Sequence, residues 1–213
     1  EIGTTSEALK SIGVEDRKIT WDSGKILKTL NDHPNITDDV IKQVPNILEN
    51  PVIVMQSKKS DSRIIIYGDV YDIYNRPVLA VLELRPVSRK GLELDTIKIA
   101  STYTKTATKD LTARENAQKL INESDILYVD RDKKRTDTWL SHNRLSLPLA
   151  ITEYGSIKNI HQNDDNVKFS VKKPVEVLQT KNATSAAAQQ NAVSHSNRLL
   201  SDISVADLIN GGN

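Results

Sequence analysis

Hydroxyl and ammonium groups lie close together at the end of the strand predicted over TIKIASTYTK, residues 96–105. Its first half alternates isoleucine with polar residues, as a half-buried strand requires. If the alternation continues, the isoleucine face next carries Ser101 and Tyr103, which Lys98 and Lys105 flank. Such groups can hydrogen-bond a phosphate and neutralise its developing charge. The stretch is typical either of a strand that ends in solvent or of the floor of a site for a phosphodiester.

RNA can be cleaved through its own 2′-hydroxyl without a metal, provided that a base, an acid and cations surround the phosphate. His33 is the candidate for proton exchange, although an imidazole just before Pro34 could equally cap a helix C-terminus. Further cations for substrate binding occur in RDKKR, which is otherwise typical of a solvated face; they are Arg131, Lys133, Lys134 and Arg135, with His142 beyond them.

The sequence lacks the signatures of several other chemistries. There is no cysteine, so disulfides, thiolate zinc sites and cysteine nucleophiles are excluded. No glycine-rich phosphate loop and no H-E-x-x-H motif occurs, and we predict neither a metal nor a cofactor. Lys and Arg number 29 against 28 Asp and Glu, so attraction to nucleic acid must come from local patches. No apolar run is long enough to span a bilayer, and no membrane partner is predicted.

The helices expected to position these groups can be read from caps and prolines. One begins at Asp22 or Ser23 and ends before Pro34. A second begins near Thr37 and is predicted to break at Pro45, with another short turn after it. The segments KDLTARENAQKLINESD and RDKKRTDTWLSHNRL predict two later helices, the first of them amphipathic.

Strand patterns lie between these helices and after them. An apolar run over 52–56 predicts a central strand, and the runs 63–71 and 76–85 predict a hairpin with Asn75 as its turn residue. With the strand that contains Tyr103 they form a predicted antiparallel meander. ILYVD adds a strand, and LPLAITEYGS a final edge strand. The fold class is therefore predicted as α+β, with N-terminal helices packed on a curved antiparallel sheet.

We divide the chain into four parts. Residues 1–11 are polar and weakly patterned and are predicted as a linker, and residues 12–160 form the domain. Residues 161–198 are rich in Asn, Gln, Ser, Lys and Ala, a composition typical of a flexible polar linker. Residues 199–213 carry leucine and isoleucine at partly helical spacing and are interpreted as a docking helix for the domain or for a partner.

Four segments together resemble the C-terminal domain of phage Mu F-type head proteins (MuF-C), which also occurs in polyvalent proteins of phages and mobile elements. They are HPNITDDVIKQVPNILENPVIVMQS, YNRPVLAVLEL, IASTYTK and ILYVD. The resemblance implies the barnase, EndoU, colicin E5/D and RelE (BECR) fold, and a metal-independent ribonuclease used as a toxin or effector. It places His33, Ser101 and Tyr103 at motif positions, where they would be catalytic. Lys98 and Lys105 join them from the residue pattern alone.

The resemblance also implies partners and a location. The substrate would be RNA, with tRNA among the candidates, and the protein partners an immunity protein or a phage head or portal protein. The site of action would be the host cytoplasm, preceded by association with the virion.

Two other functions stay open from the sequence. The first is a non-catalytic module that binds nucleic acid or protein and accompanies a phage head protein. The second is an ADP-ribosyltransferase, because Ser101-Thr102 on a strand resembles part of the Ser-Thr-Ser element of those enzymes. Neither the arginine strand nor the Glu-x-Glu loop that would complete that pattern is found.

Overall fold

The structure is a computed structural model and describes residues 1–160. The predicted linker 161–198 and docking helix 199–213 lie outside the described residues. The helices are α1 (Glu7–Ser11), α2 (Ser23–Asp32), α3 (Asp38–Glu49), α4 (Ala113–Glu123) and α5 (Lys133–Asn143). The strands are β1 (Gly3–Thr4), β2 (Lys18–Thr20), β3 (Ile53–Gln56), β4 (Arg63–Tyr71), β5 (Pro77–Glu83), β6 (Ile97–Thr104), β7 (Ile126–Val129) and β8 (Gly155–Ser156).

All described strands belong to one sheet, in the order β1-β2-β6-β5-β4-β3-β7-β8. Every neighbouring pair is antiparallel except β2 and β6, which are parallel. The α+β class and the β4-β5-β6 meander are therefore confirmed. Asn75 closes the β4–β5 hairpin in the left-handed region, with φ 57°, a conformation that asparagine tolerates better than most residues.

Helices cover both faces of the sheet. α1, α2 and α3 bury one face in a cluster that includes Leu9, Val44, Ile66 and Ile97. α4 and α5 cover the other face, where Trp139 packs on Tyr67. The prediction of N-terminal helices on a sheet is therefore confirmed, and the two later helices form a third layer.

The sheet is curved, as shown by the contacts that both of its edges make with the short helix α1. α1 follows the edge strand β1, and in the opposite edge strand, β8, the Ser156 hydroxyl donates to the Ser11 carbonyl at 2.9 Å. Ile160 N–H likewise donates to the Ile12 carbonyl at 2.9 Å. Eight strands in a flat sheet would span roughly 33 Å. The chain from Thr4 to Ile12 spans roughly 18 Å when five of its residues are helical, so the edges must bend toward each other.

Two predictions about the N-terminal half were wrong. The segment 1–11 is not a linker, because it forms β1 and α1 and its Leu9 side chain is completely buried. Pro45 does not break α3, which continues to Glu49 with Val44 and Ile47 fully buried. A proline inside a helix costs about 3 kcal/mol, and burial of the apolar face of α3 on the sheet offsets that cost.

Candidate functional site

A β-bulge in β6 changes the faces on which its hydroxyl groups lie. The register with β5 shifts between the pairs Leu82–Ile99 and Val81–Ser101. Ser101 therefore moves to the face opposite to Ile99, which corrects the predicted unbroken alternation. Ser101 and Tyr103 lie on the α4–α5 side of the sheet.

Thr102 and Thr104 continue the isoleucine face toward α2 and α3 and are 1% and 3% exposed. Their burial is consistent with a structural role. The Ser101 and Tyr103 side chains, by contrast, are half-buried and reach solvent.

Tyr103 lies between an imidazole and an ammonium group. The rings of His33 and Tyr103 stack with centroids 6.0 Å apart, and the Lys105 Nζ atom lies 5.6 Å from the Tyr103 centroid. Both distances are within the range of favourable aromatic and cation–π contacts. The structure thus brings together three of the predicted site residues, which are 70 and 2 positions apart in sequence.

The end of α2 explains the position of His33. Its backbone N–H donates to the Thr29 carbonyl at 2.9 Å, so His33 is the C-cap residue. Its imidazole forms no hydrogen bond within residues 1–160, so the ring does not cap the helix carbonyls and instead stacks on Tyr103. The ring is half-buried, which leaves it open to a substrate.

A buried polar network holds this segment against β6 and the hairpin. The Asn35 amide donates to the Asp72 carboxylate at 2.8 Å and to the Thr104 hydroxyl at 3.0 Å. Thr104 also donates to Asp72, at 3.1 Å. Asp72 additionally accepts from the Arg76 guanidinium, at 2.7–2.8 Å, and from the backbone N–H groups of Tyr74 and Arg76.

Asp72 is ionised within this network. Burial by itself would raise the pKa of Asp72, but the hydrogen bonds from Arg76 and from two backbone amides outweigh burial and lower it. Its position beside a hairpin turn is typical of an aspartate that accepts from turn amides. Its carboxylate does accept hydrogen bonds within the hairpin, and it also connects that hairpin with the segment that carries His33.

Burial changes the protonation behaviour of the two groups beside His33. It raises the pKa of the Tyr103 hydroxyl, so this phenol is a hydrogen-bond donor at neutral pH. It lowers the pKa of the Lys105 ammonium. An imidazole that can exchange a proton, a neutral phenol that donates and an amine of reduced basicity are compatible with acid–base chemistry on a phosphodiester.

Ser101 and Lys98 have different relations to this cluster. Ser101 is two residues from Tyr103 on the same face of β6 and forms no side-chain hydrogen bond within the described chain. Lys98 pairs in register with Glu83 and Thr20 at the beginning of β6. Five residues of strand correspond to about 16 Å, so the structure does not bring Lys98 to Tyr103.

The basic segment splits into paired and unpaired cations. Arg135 forms ion pairs with Asp69 and Asp130 and donates to the Asn50 carbonyl, so its guanidinium is used within the fold. Lys133 pairs with Asp137 and lies 5.3 Å from the Tyr154 ring centroid.

The other two predicted cations of this segment are exposed. The Arg131 side chain lies beside Gly155 of β8, where a Cβ atom would approach its Nε to 3.3 Å. Lys134 forms no ion pair in the described part of the chain and lines a depression of about 560 Å³ on α5 together with His142.

His142 and several arginines lie at the end of the sheet where β6 ends. The sequence did not predict that these side chains lie close together. The Asn75 amide lies 3.0 Å from His142 Nε2, and Tyr71 packs edge-on against the imidazole at 5.1 Å. Beside them, Arg114 of α4 and Arg144, the C-cap of α5, line a cleft that also reaches Lys105. No local pattern predicted these contacts, because they join residues that are far apart in sequence.

Two negative findings apply to residues 1–160. No group of three or more His, Cys, Asp or Glu side chains is placed to hold a metal ion. No helix there has the length and apolar character needed to cross a membrane.

One comparison with known proteins gives a match. The family model described as the phage MuF-C-terminal domain matches residues 25–136, which is more than half of the chain. No curated protein and no solved structure matches. The matched segment runs from α2 to the first turn of α5 and includes His33, Ser101, Tyr103 and Lys105.

Proposed function

The chain belongs to the phage MuF C-terminal domain family, and on that premise we propose that it is an effector domain that binds and cleaves RNA at the His33–Tyr103 site. A phage-associated function follows from the family match. The observation that carries the proposal of cleavage is the stacking of His33 on Tyr103, with Lys105 on the same tyrosine ring.

In this mechanism His33 accepts the proton of the 2′-hydroxyl, and the 2′-oxygen attacks phosphorus. The bond from phosphorus to the 5′-oxygen breaks, and that oxygen takes a proton from solvent, to which His33 later returns its own. The products are a 2′,3′-cyclic phosphate and a 5′-hydroxyl. Tyr103 and Ser101 donate hydrogen bonds to the phosphate oxygens, and Lys105 neutralises the charge that develops in the transition state.

The proposal has a biological setting that the family suggests. The domain would act on RNA, tRNA included, in the host cytoplasm after association with a virion. An immunity protein or a phage head or portal protein would be its protein partner. The BECR fold is part of the same proposal, supported by the α+β class and the curved sheet.

The test uses the full chain and an end-labelled RNA oligonucleotide in the presence of EDTA, with DNA of the same sequence in parallel. We expect cleavage of RNA and not of DNA, which lacks the 2′-hydroxyl, and a terminal cyclic phosphate in the product. His33→Ala should lower the rate by about 100-fold or more, the usual contribution of an acid–base group. Tyr103→Phe should lower it by about 10-fold, since one charge-stabilising hydrogen bond is lost.

Tyr154→Phe is the matched control, because Tyr154 contacts Asp137 and Lys133 of α5 and lies outside the site. It should cleave at the wild-type rate, and thermal unfolding of all variants should show that each is folded. Absence of cleavage by the wild-type chain, or a His33→Ala variant as active as wild type, would refute the ribonuclease proposal. Binding of RNA without cleavage would favour the non-catalytic module. Consumption of NAD, measured separately, would favour the ADP-ribosyltransferase.

A further inference from the structure

We propose that a cationic cleft beside Tyr103 binds a second phosphate of the RNA strand whose scissile phosphate lies at Tyr103. The cleft lies between the β4–β5 hairpin, the first turns of α4 and the end of α5. Its cationic side chains are Arg76, Lys105, Arg114 and Arg144, and His142 stands at its rim. The inference extends the proposed function, from which it takes the identity of the strand.

The cleft is a concave space of about 120 Å³. Its floor is Ala117 of α4, which is 4% exposed, and its walls are the hairpin residues Asn75 to Pro77 and the α5 residues that follow Ser141. Most of its lining residues carry polar or charged side chains, so the space suits a small polar group rather than an apolar one.

Most of the cations in the cleft have no ion-pair partner among the described residues. No aspartate or glutamate lines it. Arg76 is compensated, because it pairs with Asp72. Lys105, Arg114 and Arg144, in contrast, form no ion pair within the described residues. Three cations without an ion pair around one space attract an anion, and guanidinium groups match the geometry of phosphate oxygens.

The backbone of Arg144 gives an independent indication. Arg144 is the C-cap of α5 and lies in the left-handed region, with φ 52° and ψ 42°. Glycine is the usual residue there, since a side chain makes this conformation unfavourable. An arginine in a conformation that favours glycine indicates that its side chain has a use. The Arg114 guanidinium donates to the Arg144 carbonyl at 3.4 Å, which holds the two arginines on one side of the cleft.

Lys105 connects the cleft with the catalytic cluster. Its side chain lines the cleft, and its Nζ atom lies 5.6 Å from the centroid of the Tyr103 ring. A strand with one phosphate at Tyr103 therefore reaches the cleft with a neighbouring phosphate, and Lys105 contacts both. The exposed Tyr74 at the tip of the hairpin, with the Arg76 guanidinium 4.9 Å from its ring centroid, is placed to stack on a base beside them.

The experiment measures binding of the full chain to a fluorescent RNA oligonucleotide with 2′-O-methyl groups, which has no free 2′-hydroxyl and cannot be cleaved by the proposed route. Affinity is followed by anisotropy at several salt concentrations. The double variant Arg114→Gln/Arg144→Gln should weaken binding about 10-fold at low salt. It should also reduce the slope of log affinity against log salt by about 0.7, the value for one phosphate contact on a single strand.

A charge-matched control is Arg89→Gln/Lys90→Gln, in the exposed β5–β6 connection at the other end of these strands. It should leave both affinity and salt slope near the wild-type values. A third variant, Arg144→Gly, removes the charge and also relieves the left-handed backbone. It should bind more weakly while its thermal midpoint is unchanged or raised.

The proposal is overturned if the wild-type chain does not bind the oligonucleotide, or if the Arg114/Arg144 variant binds like the Arg89/Lys90 control. Because this strand cannot be cleaved, absence of ribonuclease activity does not affect the readout. Conversely, a chain that cleaves RNA but shows no effect of the arginine variants would lose only the second phosphate site.

Discussion

Replacement of Asp72 by asparagine tests whether the buried network at the hairpin holds the site together. The Asp72 side chain is completely buried, and its two oxygens accept from Asn35, Thr104, Arg76 and two backbone N–H groups. An amide of the same size has only one accepting oxygen. In Asp72→Asn, its NH₂ group therefore faces either the backbone amides or the side-chain donors, and the Arg76 charge loses its partner.

The magnitude follows from the exposure of the partner. Removal of one member of a buried ion pair costs about 3–5 kcal/mol. The Arg76 side chain is 25% exposed, so water screens its charge partly, and we take the lower end, about 3 kcal/mol. For a domain of this size 1 kcal/mol corresponds to roughly 2–4 °C, so the thermal midpoint should fall by about 6–12 °C.

The dependence on pH gives a second signature. The folded-state pKa of Asp72 lies below its ordinary value, so its stabilising contribution is fully present above the unfolded pKa of about 3.9. That contribution is lost as pH falls through the lower, folded pKa. The difference in unfolding free energy between wild type and Asp72→Asn should therefore be constant near neutral pH and shrink below about pH 4.

Urea unfolding of the full chain at several pH values measures this difference. Asp61→Asn is the control, because the Asp61 side chain is exposed in the β3–β4 loop and has no partner within residues 1–160. It should change the unfolding free energy by less than about 0.5 kcal/mol. If Asp72→Asn costs less than about 1 kcal/mol at neutral pH, or if its cost does not depend on pH, the network is not the anchor that we describe.

Two further predictions concern other parts of the fold. Thr102→Val should raise the thermal midpoint by about 2–4 °C without changing RNA cleavage, since the buried Thr102 hydroxyl has no hydrogen-bond partner in the described structure. A lower midpoint in differential scanning fluorimetry, or lost cleavage, would contradict this. Arg135→Gln should lower the unfolding free energy in urea by about 1–2 kcal/mol, because the ion pairs with Asp69 and Asp130 are lost. It should leave oligonucleotide affinity unchanged, and reduced affinity at unchanged stability would show that Arg135 contacts the strand.

Local sequence signals predicted most of the secondary structure. Asp22 begins α2 as expected, and its carboxylate accepts from Gly24 N–H at 2.8 Å. The strand pattern over 63–71 and the turn at Asn75 are also found. These features depend on residues that are neighbours in sequence, and for that reason periodicity and capping chemistry identify them.

The missed elements depend on contacts between distant residues. α1 has only five residues, too few for a periodic pattern, and is helical because Leu9 is buried in the core. Helix α2 begins and ends where the sequence predicts, but which of its side chains are buried depends on the sheet: Thr29 is buried and Leu27 is 62% exposed. The parallel pairing of β2 with β6 joins Ile19 to Ile97 and has no local signature.

The site was predicted in part. Proximity of His33, Tyr103 and Lys105 agrees with the grouping made from the sequence, while their roles remain a proposal. The bulge at Ile99–Ser101 was not foreseen, because one extra residue in a strand leaves no mark on composition and yet reverses every later side chain. The contact between His142 and Asn75 could not be predicted from the sequence, because the two residues are 67 positions apart.

The meeting of both sheet edges at α1 has a consequence for where this domain can be cut. The segment that the family model matches, 25–136, omits β1, α1, β2 and β8. A fragment with those limits would leave the backbone of β6 unpaired at one edge and that of β7 at the other, and would expose the core around Leu9. Two open edges are templates for intermolecular pairing. A fragment that folds on its own must therefore be longer than 25–136, because the flanking strands β2 and β8 pair with the two strands that would otherwise be open edges.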